Sequence, residues 1–108
     1  MKHRTLIVAR MQPHDASRVA DAFARSDAGA LPALVGVTHR SLFRFDPDLY
    51  FHFIEADTEV ADSVDRVRAT PLYDEINREL ATYVTAYHPE RWRSPRDAMA
   101  EEFYRWTA

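Results

Sequence analysis

The chain has no cysteine, only two glycines and a single lysine, Lys2, among its 108 residues. Without cysteine, disulfides, thiolate catalysis and cysteine-ligated zinc or iron–sulfur sites are all excluded. The two isolated glycines, Gly29 and Gly36, cannot form the glycine-rich phosphate loop of nucleotide-binding proteins. A net charge of −3, with no run of basic residues, argues against a nucleic-acid-binding protein.

Long apolar runs are also missing near the N-terminus. The run Leu6-Ile7-Val8-Ala9 is only four residues long before Arg10 interrupts it. A signal peptide needs a longer apolar region, and a membrane-spanning helix needs about 20 apolar residues. We therefore expect a cytoplasmic protein. The five histidines show neither His-x-His nor Glu-x-x-His spacing, so no metal site is expected.

The composition is typical of a folded globular protein. Apolar residues make up 46% and aromatic residues 12% of the chain, which is more than a disordered segment contains. A chain of 108 residues has room for one hydrophobic core. We therefore predict a single domain that covers residues 1–108.

The pattern of apolar, β-branched and turn-forming residues predicts alternating strands and helices. In chain order these are a strand at 5–11, a helix from Asp15 to about 27–29, strands at 35–45 and 49–56, helices that begin at 57–59 and at Thr70-Pro71, a strand at 83–87, a short helical turn after Ser94, and a last strand at 103–106. Helical spacing gives the first helix one apolar stripe: Ala16, Val19, Ala20, Phe23 and Ala24. The third helix is predicted to bury Leu72, Ile76 and Leu80.

This order is typical of the ferredoxin-like α+β fold, an antiparallel sheet with helices on one face. A sheet with one face in water alternates apolar and polar residues. In the predicted hairpin neither face is clearly polar: one face carries Val37, His39 and Phe43, and the other carries Arg40 and Leu42. We infer that the helix-free face is buried against a second copy of the chain, so the expected unit is a homodimer.

The length of the hairpin turn decides which side chains share a face of the sheet. If three residues, Asp46-Pro47-Asp48, form the turn, Arg40 faces Ile54 and lies on the same face as His52. A two-residue turn would instead place Arg40 and His52 on opposite faces. His39 is predicted on the face opposite Arg40.

Several stretches of the chain together resemble one protein family. They are Arg4–Met11, Asp27 followed by Leu31-Pro32 and Gly36-Val37, Arg40–Phe45, Leu49–Asp57, Thr70-Pro71-Leu72 and Ala100–Tyr104. On these stretches the sequence is similar to the small aromatic polyketide cyclases of the tetracenomycin type. The resemblance implies a dimeric α+β barrel of ferredoxin-like protomers. It also implies a cofactor-independent intramolecular aldol cyclisation, with dehydration, of a multicyclic poly-ketone, and it makes components of a type II polyketide synthase candidate partners.

The pocket positions of the family that match this sequence are Asp27, Arg40 and His52. The resemblance therefore implies that these residues form the catalytic site. The sequence departs from the family at two positions: Ser26 stands where a member of the family carries histidine, and the hairpin turn is one residue longer through Pro47. The serine removes a proton-transfer group from that position, which is consistent with a different substrate or regiochemistry.

Ring closure on a poly-ketone needs a base for an acidic carbon, a donor for the developing oxyanion and an acid for the loss of water. His52 is the candidate acid/base, because the pKa of histidine lies near neutrality. Arg40 is the candidate oxyanion stabiliser, because guanidinium stays charged and offers a fixed fork of donors. Asp27, at a helix C-terminus that disfavours negative charge, is a candidate partner of either residue or a second acid/base. The structural alternatives are a core histidine, a solvated or dimer-paired arginine and a helix-ending aspartate.

Further candidates for substrate binding are Tyr50, Ser26, Thr38, Phe23 and Trp106. Tyr50 falls on the His52 face and would donate a hydrogen bond to a substrate carbonyl; the alternative is a core tyrosine with its hydroxyl in water. Tyr104 and Trp106 are candidates for the pocket lining or for the dimer seam.

Two other functions are compatible with the same fold. A cofactor-free, quinone-forming monooxygenase would also use an aromatic pocket in a dimeric α+β barrel, and oxygen consumption would identify it. A non-catalytic partner of a polyketide synthase would leave ring closure undiminished after alanine replaces His52 and Arg40.

Overall fold

A computed structural model describes residues 2–108 of the chain. Its strands and helices are β1 (His3–Met11), α1 (Ala16–Asp27), α2 (Leu31–Val35), β2 (Val37–Phe45), β3 (Leu49–Ala56), α3 (Val60–Val67), α4 (Pro71–Leu80) and β4 (Val84–Ala86). Short 3-10 turns cover Pro13–Asp15, Pro89–Arg91 and Pro95–Ala98. Within the described residues, no helix is both long enough and apolar enough to cross a membrane.

The four strands form one antiparallel sheet in the order β2-β3-β1-β4. Buried side chains of β3 alternate with half-buried ones, and the buried set packs with the apolar side chains of the helices. The helices therefore cover one face of the sheet, and the hydrophobic core lies between the two layers. The predicted ferredoxin-like α+β fold is confirmed.

The register of the β2–β3 hairpin places the two main candidate residues on one face. Phe45 pairs with Leu49, which leaves a three-residue turn, and Arg40 pairs with Ile54. Since His52 lies two residues from Ile54 on the same strand, Arg40 and His52 share the helix-covered face. This prediction from the sequence is confirmed, as is the placement of His39 on the opposite face.

A β-bulge between Val37 and His39 changes the start of β2. Strict alternation puts Val37 on the His39 face, but Val37 pairs with the buried Ala56 and packs against the core. The extra residue, Thr38, moves Val37 to the other side of the sheet. The face predicted for Val37 is therefore wrong, because periodicity alone does not reveal a bulge.

The helix α2 replaces the first residues of the predicted strand 35–45. Val35 ends this helix, and Gly36 follows with φ of 88°, the left-handed conformation that favours glycine. Pro32 lies in the first turn, where its missing N–H is not needed. The start predicted at Val35 is wrong: β-branched Val35 suggested a strand, while the proline and glycine mark a short helix.

Two helices bury a different stripe from the one that their spacing predicts. In α1, Val19 and Phe23 are buried as predicted, but Ala20 and Ala24 are exposed and Ala22 is buried instead. This rotation of the buried stripe turns the neighbouring position Ser26 towards the sheet. In α4, Ile76 is buried, whereas Leu72 is 44% exposed, so the predicted burial of Leu72 is wrong.

The strand predicted at 103–106 is also wrong. These residues form no ladder with another part of the described chain, and Phe103, Tyr104 and Trp106 are exposed by 94%, 76% and 71%. Residues 100–108, here called the C-terminal tail, follow the edge of β1. The N–H of Ala100 donates to Leu6 O over 2.7 Å, and Arg105 Nη1 donates to Lys2 O over 3.2 Å. Aromatic content gives strand propensity, but a strand exists only where a partner strand pairs with it.

Candidate active site

A cavity of about 320 Å³ lies between the sheet and the helices. Aliphatic and aromatic side chains form most of its wall, which suits a flat apolar ligand. A small set of polar side chains also lines it and includes Ser26, Arg40, Tyr50, His52 and Tyr73. Within the described residues, Arg40 is the one arginine, lysine or carboxylate side chain of the lining.

The guanidinium of Arg40 is held by three groups. Its Nε lies 3.1 and 3.2 Å from the two carboxylate oxygens of Asp27, and its Nη2 lies 2.9 Å from Asp27 Oδ1. Its Nη1 lies 2.7 Å from His52 Nε2, and its Cζ lies 4.7 Å from the centre of the Phe23 ring. Two of the five guanidinium N–H bonds have no hydrogen-bond partner within residues 2–108, so they can donate to a ligand oxygen.

His52 is a buried imidazole that accepts a hydrogen bond from Arg40. Its side chain is 6% exposed, and burial, followed by the charge of Arg40, lowers the pKa of His52 from 6.5 to about 3. Since a guanidinium can only donate, Nε2 accepts and the ring proton lies on Nδ1. The imidazole is therefore neutral at physiological pH, and Phe23 packs edge-on against it at 4.8 Å.

Tyr50 lies beside His52 on β3, with the ring centres 6.4 Å apart. Its side chain is 4% exposed, and burial raises the pKa of Tyr50 well above its usual value, an effect that the charge of Arg40 only partly offsets. The phenol therefore stays protonated and remains a hydrogen-bond donor.

Asp27 is the last residue of α1, at the end of the helix where the macrodipole disfavours a negative charge. Its bidentate ion pair with Arg40 compensates for that position. The carboxylate is 38% exposed, whereas the Arg40 side chain is only 16% exposed. Asp27 thus holds the back of the guanidinium rather than facing the cavity, whose lining it does not join.

The structure brings most of the residues predicted from the sequence to one place. Asp27, Arg40 and His52 are in mutual contact through the guanidinium, and Phe23, Ser26 and Tyr50 line the cavity beside them. Two candidates for substrate binding are not part of it. The exposed Thr38 donates its hydroxyl to Glu55 O at 3.3 Å, and Trp106 is in the exposed tail.

Sequence reasoning missed the part of the wall that α2 and the segment 92–99 form. Leu31 and Val35 of α2, together with Trp92, Pro95 and Met99, line the cavity. Pro32 in the first turn of α2 and Gly36 directly after its last residue were the available signals for that helix. The segment 92–99 carries no periodic pattern, so only the fold reveals that it lies against the cavity.

The sequence profile of the polyketide synthesis cyclase family matches residues 3–107. The chain belongs to this family. The polyketide synthase CurG of Streptomyces cyaneus is 49% identical over 104 residues, which cover 96% of each chain. Tetracenomycin F2 cyclase of Streptomyces glaucescens is 45% identical over 108 residues, which cover all of this chain and 97% of that one.

Solved structures show the same fold. The structure of tetracenomycin F2 cyclase, a type II polyketide cyclase, superimposes with a TM-score of 0.90 over 98% of both chains. A proposed antibiotic biosynthesis monooxygenase of Nitrosomonas europaea has a TM-score of 0.55 over 77% of this chain and 79% of that one, at 12% identity, and shares the fold alone. The predicted family, fold class and enzyme class are confirmed: the protein is a cyclase of polyketide synthesis.

Proposed function

We propose that this cyclase catalyses an intramolecular aldol condensation and dehydration of a multicyclic poly-ketone, with Arg40 and His52 at the reacting end of the cavity. The observation that carries the proposal is the contact of 2.7 Å between Arg40 Nη1 and His52 Nε2 at the polar end of an otherwise apolar cavity. A fixed cation beside a neutral imidazole supplies an oxyanion stabiliser for a carbonyl oxygen and a proton acceptor for the neighbouring carbon.

Arg40 is proposed to bind the oxygen on which negative charge develops. Asp27 holds one edge of the guanidinium, through Nε and Nη2, and Phe23 packs on its face, so its orientation is set before the substrate arrives. A preorganised donor costs little reorganisation during the reaction, and removing such a donor typically slows a reaction by 10²–10³-fold. The two unpaired N–H bonds are the proposed contacts to the substrate oxygen.

His52 is proposed to move the proton. In the free protein, its Nε2 lone pair accepts a hydrogen bond from Arg40. When the oxygen of the substrate also draws away the Nη1 N–H that His52 accepts in the free protein, Nε2 becomes available to a carbon that lies between two carbonyl groups. The negative enolate then offsets the charge of Arg40, one of the two causes that hold the pKa of His52 low, so the imidazole accepts the proton more readily.

The reaction balances without an oxidant or reductant. His52 removes a proton from the acidic carbon, and the enolate carbon attacks a ketone carbon of the same molecule, which forms a C–C bond and an alkoxide. The alkoxide is protonated, a second proton leaves the adjacent carbon, and the hydroxyl group departs as water. Tyr50, whose phenol stays protonated, is proposed to donate a hydrogen bond to a second carbonyl and hold the chain in its folded conformation.

The test is ring closure by the purified protein on a poly-ketone that still has one ring to close. We expect a product lighter by one water, formed without oxygen uptake and faster than in buffer. Arg44→Ala is the matched control for Arg40→Ala and should keep the wild-type rate. Arg44 lies on the same strand as Arg40 but is exposed, donates to Pro13 O at 3.0 Å and does not line the cavity. Oxygen uptake with a heavier product would indicate a monooxygenase instead, and an unaccelerated reaction would contradict catalysis.

We also infer that the cyclase is a homodimer that covers the helix-free face of the sheet, here called the open face. Seven apolar side chains lie on it: Leu6, Val8, Phe43, Phe45, Leu49, Phe51 and Phe53. Phe43 and Phe45 are 56% and 66% exposed. A continuous apolar patch of this kind is rare on a monomer and supports burial against a partner. A polyketide is the substrate; contact with synthase components and a cytoplasmic location stay predictions from the sequence.

The C-terminal tail supports the same inference. It runs along the edge of β1 with three large aromatic side chains in solvent, Phe103, Tyr104 and Trp106. Aromatic residues are enriched at the centres of protein interfaces. A second copy packed on the open face is proposed to cover the tail, which places Tyr104 and Trp106 in the dimer seam rather than in the pocket.

A further inference from the structure

The cavity extends across the whole width of the sheet. Arg40 lines it from the edge strand β2, and Ala86 lines it from the other edge strand, β4. Neighbouring strands lie about 4.8 Å apart, so the two edges of a four-stranded sheet are separated by roughly 14 Å. The cavity is therefore long enough for a planar molecule of several fused rings that lies across the strands.

The two ends of the cavity differ in chemistry. Arg40 and His52 lie at the β2–β3 end, whereas α4, β4 and the segment 92–99 line the other end. Met99 of that segment pairs with Ile7 on the same edge of β1 that β4 occupies further along. The lining of that second end carries no charged side chain within the described residues. It is mainly apolar, with Ala81, Trp92, Pro95 and Met99, and its polar members are Asn77 and Thr85. A ligand with one oxygen-rich end and one aromatic end would fit this cavity in one orientation only, with its oxygen-rich end at Arg40 and His52.

Trp92 is the large aromatic side chain at the β4 end, and it is 40% exposed. Within residues 2–108, its indole N–H has no hydrogen-bond partner, and no aromatic ring or cation stacks on it. A half-exposed indole that lines a cavity and has no stacking partner in the described residues leaves aromatic surface available to a flat ligand. Trp92 is not part of the buried core, and packing within the protein does not account for its position.

The backbone around Trp92 is held in place. The N–H of Trp92 donates to Pro89 O at 3.3 Å, and the N–H of Arg93 donates to Asp97 Oδ2 at 2.8 Å. Arg96 Nη2 bonds to α3 through Asp62 Oδ1 at 3.2 Å and Asp65 Oδ2 at 2.9 Å. These contacts fasten the segment 92–99 to the helix layer, so Trp92 has a defined position at the cavity.

We propose that Trp92 is a substrate-binding residue that stacks on the rings of the polyketide already closed, while the carbonyl groups still to react lie at Arg40 and His52. This inference rests on the function proposed above and adds the direction in which the substrate lies. Closed rings are flat and aromatic, so they stack well on an indole, and the unreacted carbonyls need hydrogen-bond donors. A ring-closing reaction that acts earlier must supply such a substrate.

The test measures binding of a planar probe, 1,8-dihydroxyanthraquinone, by calorimetry, which needs no turnover. Trp92→Ala and Trp92→Leu should raise its Kd at least about five-fold, because stacking on an aromatic side chain contributes about 1–3 kcal/mol. Trp92→Phe, which keeps an aromatic face, should stay within about three-fold. The matched control is Tyr87→Ala: Tyr87 is 39% exposed and near in sequence but does not line the cavity, so the Kd should not change.

In turnover, Trp92→Leu should raise KM and leave kcat nearly unchanged, with thermal unfolding close to that of the wild type. A wild-type Kd in the leucine variant, or a loss in the phenylalanine variant as large as in the leucine variant, would overturn the inference. So would a drop in kcat at constant KM, because Trp92 would then act at the reacting end. If ring closure fails but probe binding still depends on Trp92, only the proposed reaction is contradicted.

Discussion

Arg40 Nη1 and His52 Nε2 lie 2.7 Å apart, across the neighbouring strands β2 and β3. Since the arginine is always charged, a protonated imidazole at this distance would place two positive charges side by side. Burial and this charge together keep His52 neutral, and the contact holds its lone pair at the guanidinium. In the proposed mechanism, a bound anion or enolate changes both conditions together and so couples oxyanion binding to proton transfer.

Replacing Arg40 with lysine tests whether the fork of donors matters as well as the charge. A lysine ammonium is a point charge and cannot reproduce the bidentate contact with Asp27 together with the contact to His52. We expect kcat/KM for ring closure to fall about 10–100-fold, from initial rates of product absorbance. Arg44→Lys is the control and should retain the wild-type rate. Wild-type activity in Arg40→Lys would show that charge alone suffices.

The pH dependence of kcat/KM reports the protonation of His52 in the free enzyme. Burial and Arg40 lower the pKa of His52 to about 3, so the base form persists well below pH 6.5. We expect kcat/KM to show no inflection near pH 6.5 on the acid side, and Arg40→Gln to move the acid limb upward. A wild-type inflection near pH 6.5, with circular dichroism unchanged across that range, would contradict a His52 that burial and Arg40 keep neutral.

Stability should also depend on pH through His52. The folded-state pKa of about 3 lies below the unfolded value of 6.5. Between these values the unfolded chain binds one more proton than the folded chain. The contribution of neutral His52 to stability is therefore fully present above pH 6.5 and is lost as the pH falls towards 3. The free energy of unfolding should drop by up to about 1.4 kcal/mol per pH unit below pH 6, relative to His52→Gln. Urea titrations of both proteins at several pH values measure this; parallel curves would contradict it.

A charge on the open face should separate the proposed dimer. Phe43→Glu and Phe45→Glu each bury a carboxylate among apolar side chains if a second copy covers this face. We expect sedimentation to show a dimer for the wild type and at least about a 30-fold weaker association for each variant. Leu34→Glu is the control, since Leu34 is 47% exposed on α2, in the helix layer. A monomeric wild type would contradict the dimer.

The shared face of Arg40 and His52 could be predicted because it follows from the number of residues in the hairpin turn. The three-residue turn before Leu49 fixes the hairpin register, and the register places Arg40 and His52 on one face. The order of strands and helices followed from periodicity in the same way. Local pattern therefore predicted the fold class, and the three-residue turn accounts for the shared face of Arg40 and His52. The choice of these two residues as catalytic candidates came from the resemblance to the cyclase family.

Features that depend on contacts across the fold could not be predicted. The bulge at Thr38 and the absence of a partner for residues 103–106 are properties of strand pairing, and single-strand patterns do not encode pairing. The neutral state of His52 depends on burial and on Arg40 together. Trp92 is remote from Arg40 and His52 in sequence and lines the cavity only because the segment 92–99 folds back onto it.

The most direct measurement is single-turnover ring closure by the wild type, Arg40→Ala, His52→Ala and the double variant. Each single variant should slow the reaction by about 10²–10³-fold. The double variant should be at most about ten-fold slower than the slower of the two single variants. When two groups act as a unit, the effects of their removal on the activation free energy do not add. A wild-type rate in either single variant, with the fold intact and 1,8-dihydroxyanthraquinone still bound, would contradict the assignment of this pair to the reaction.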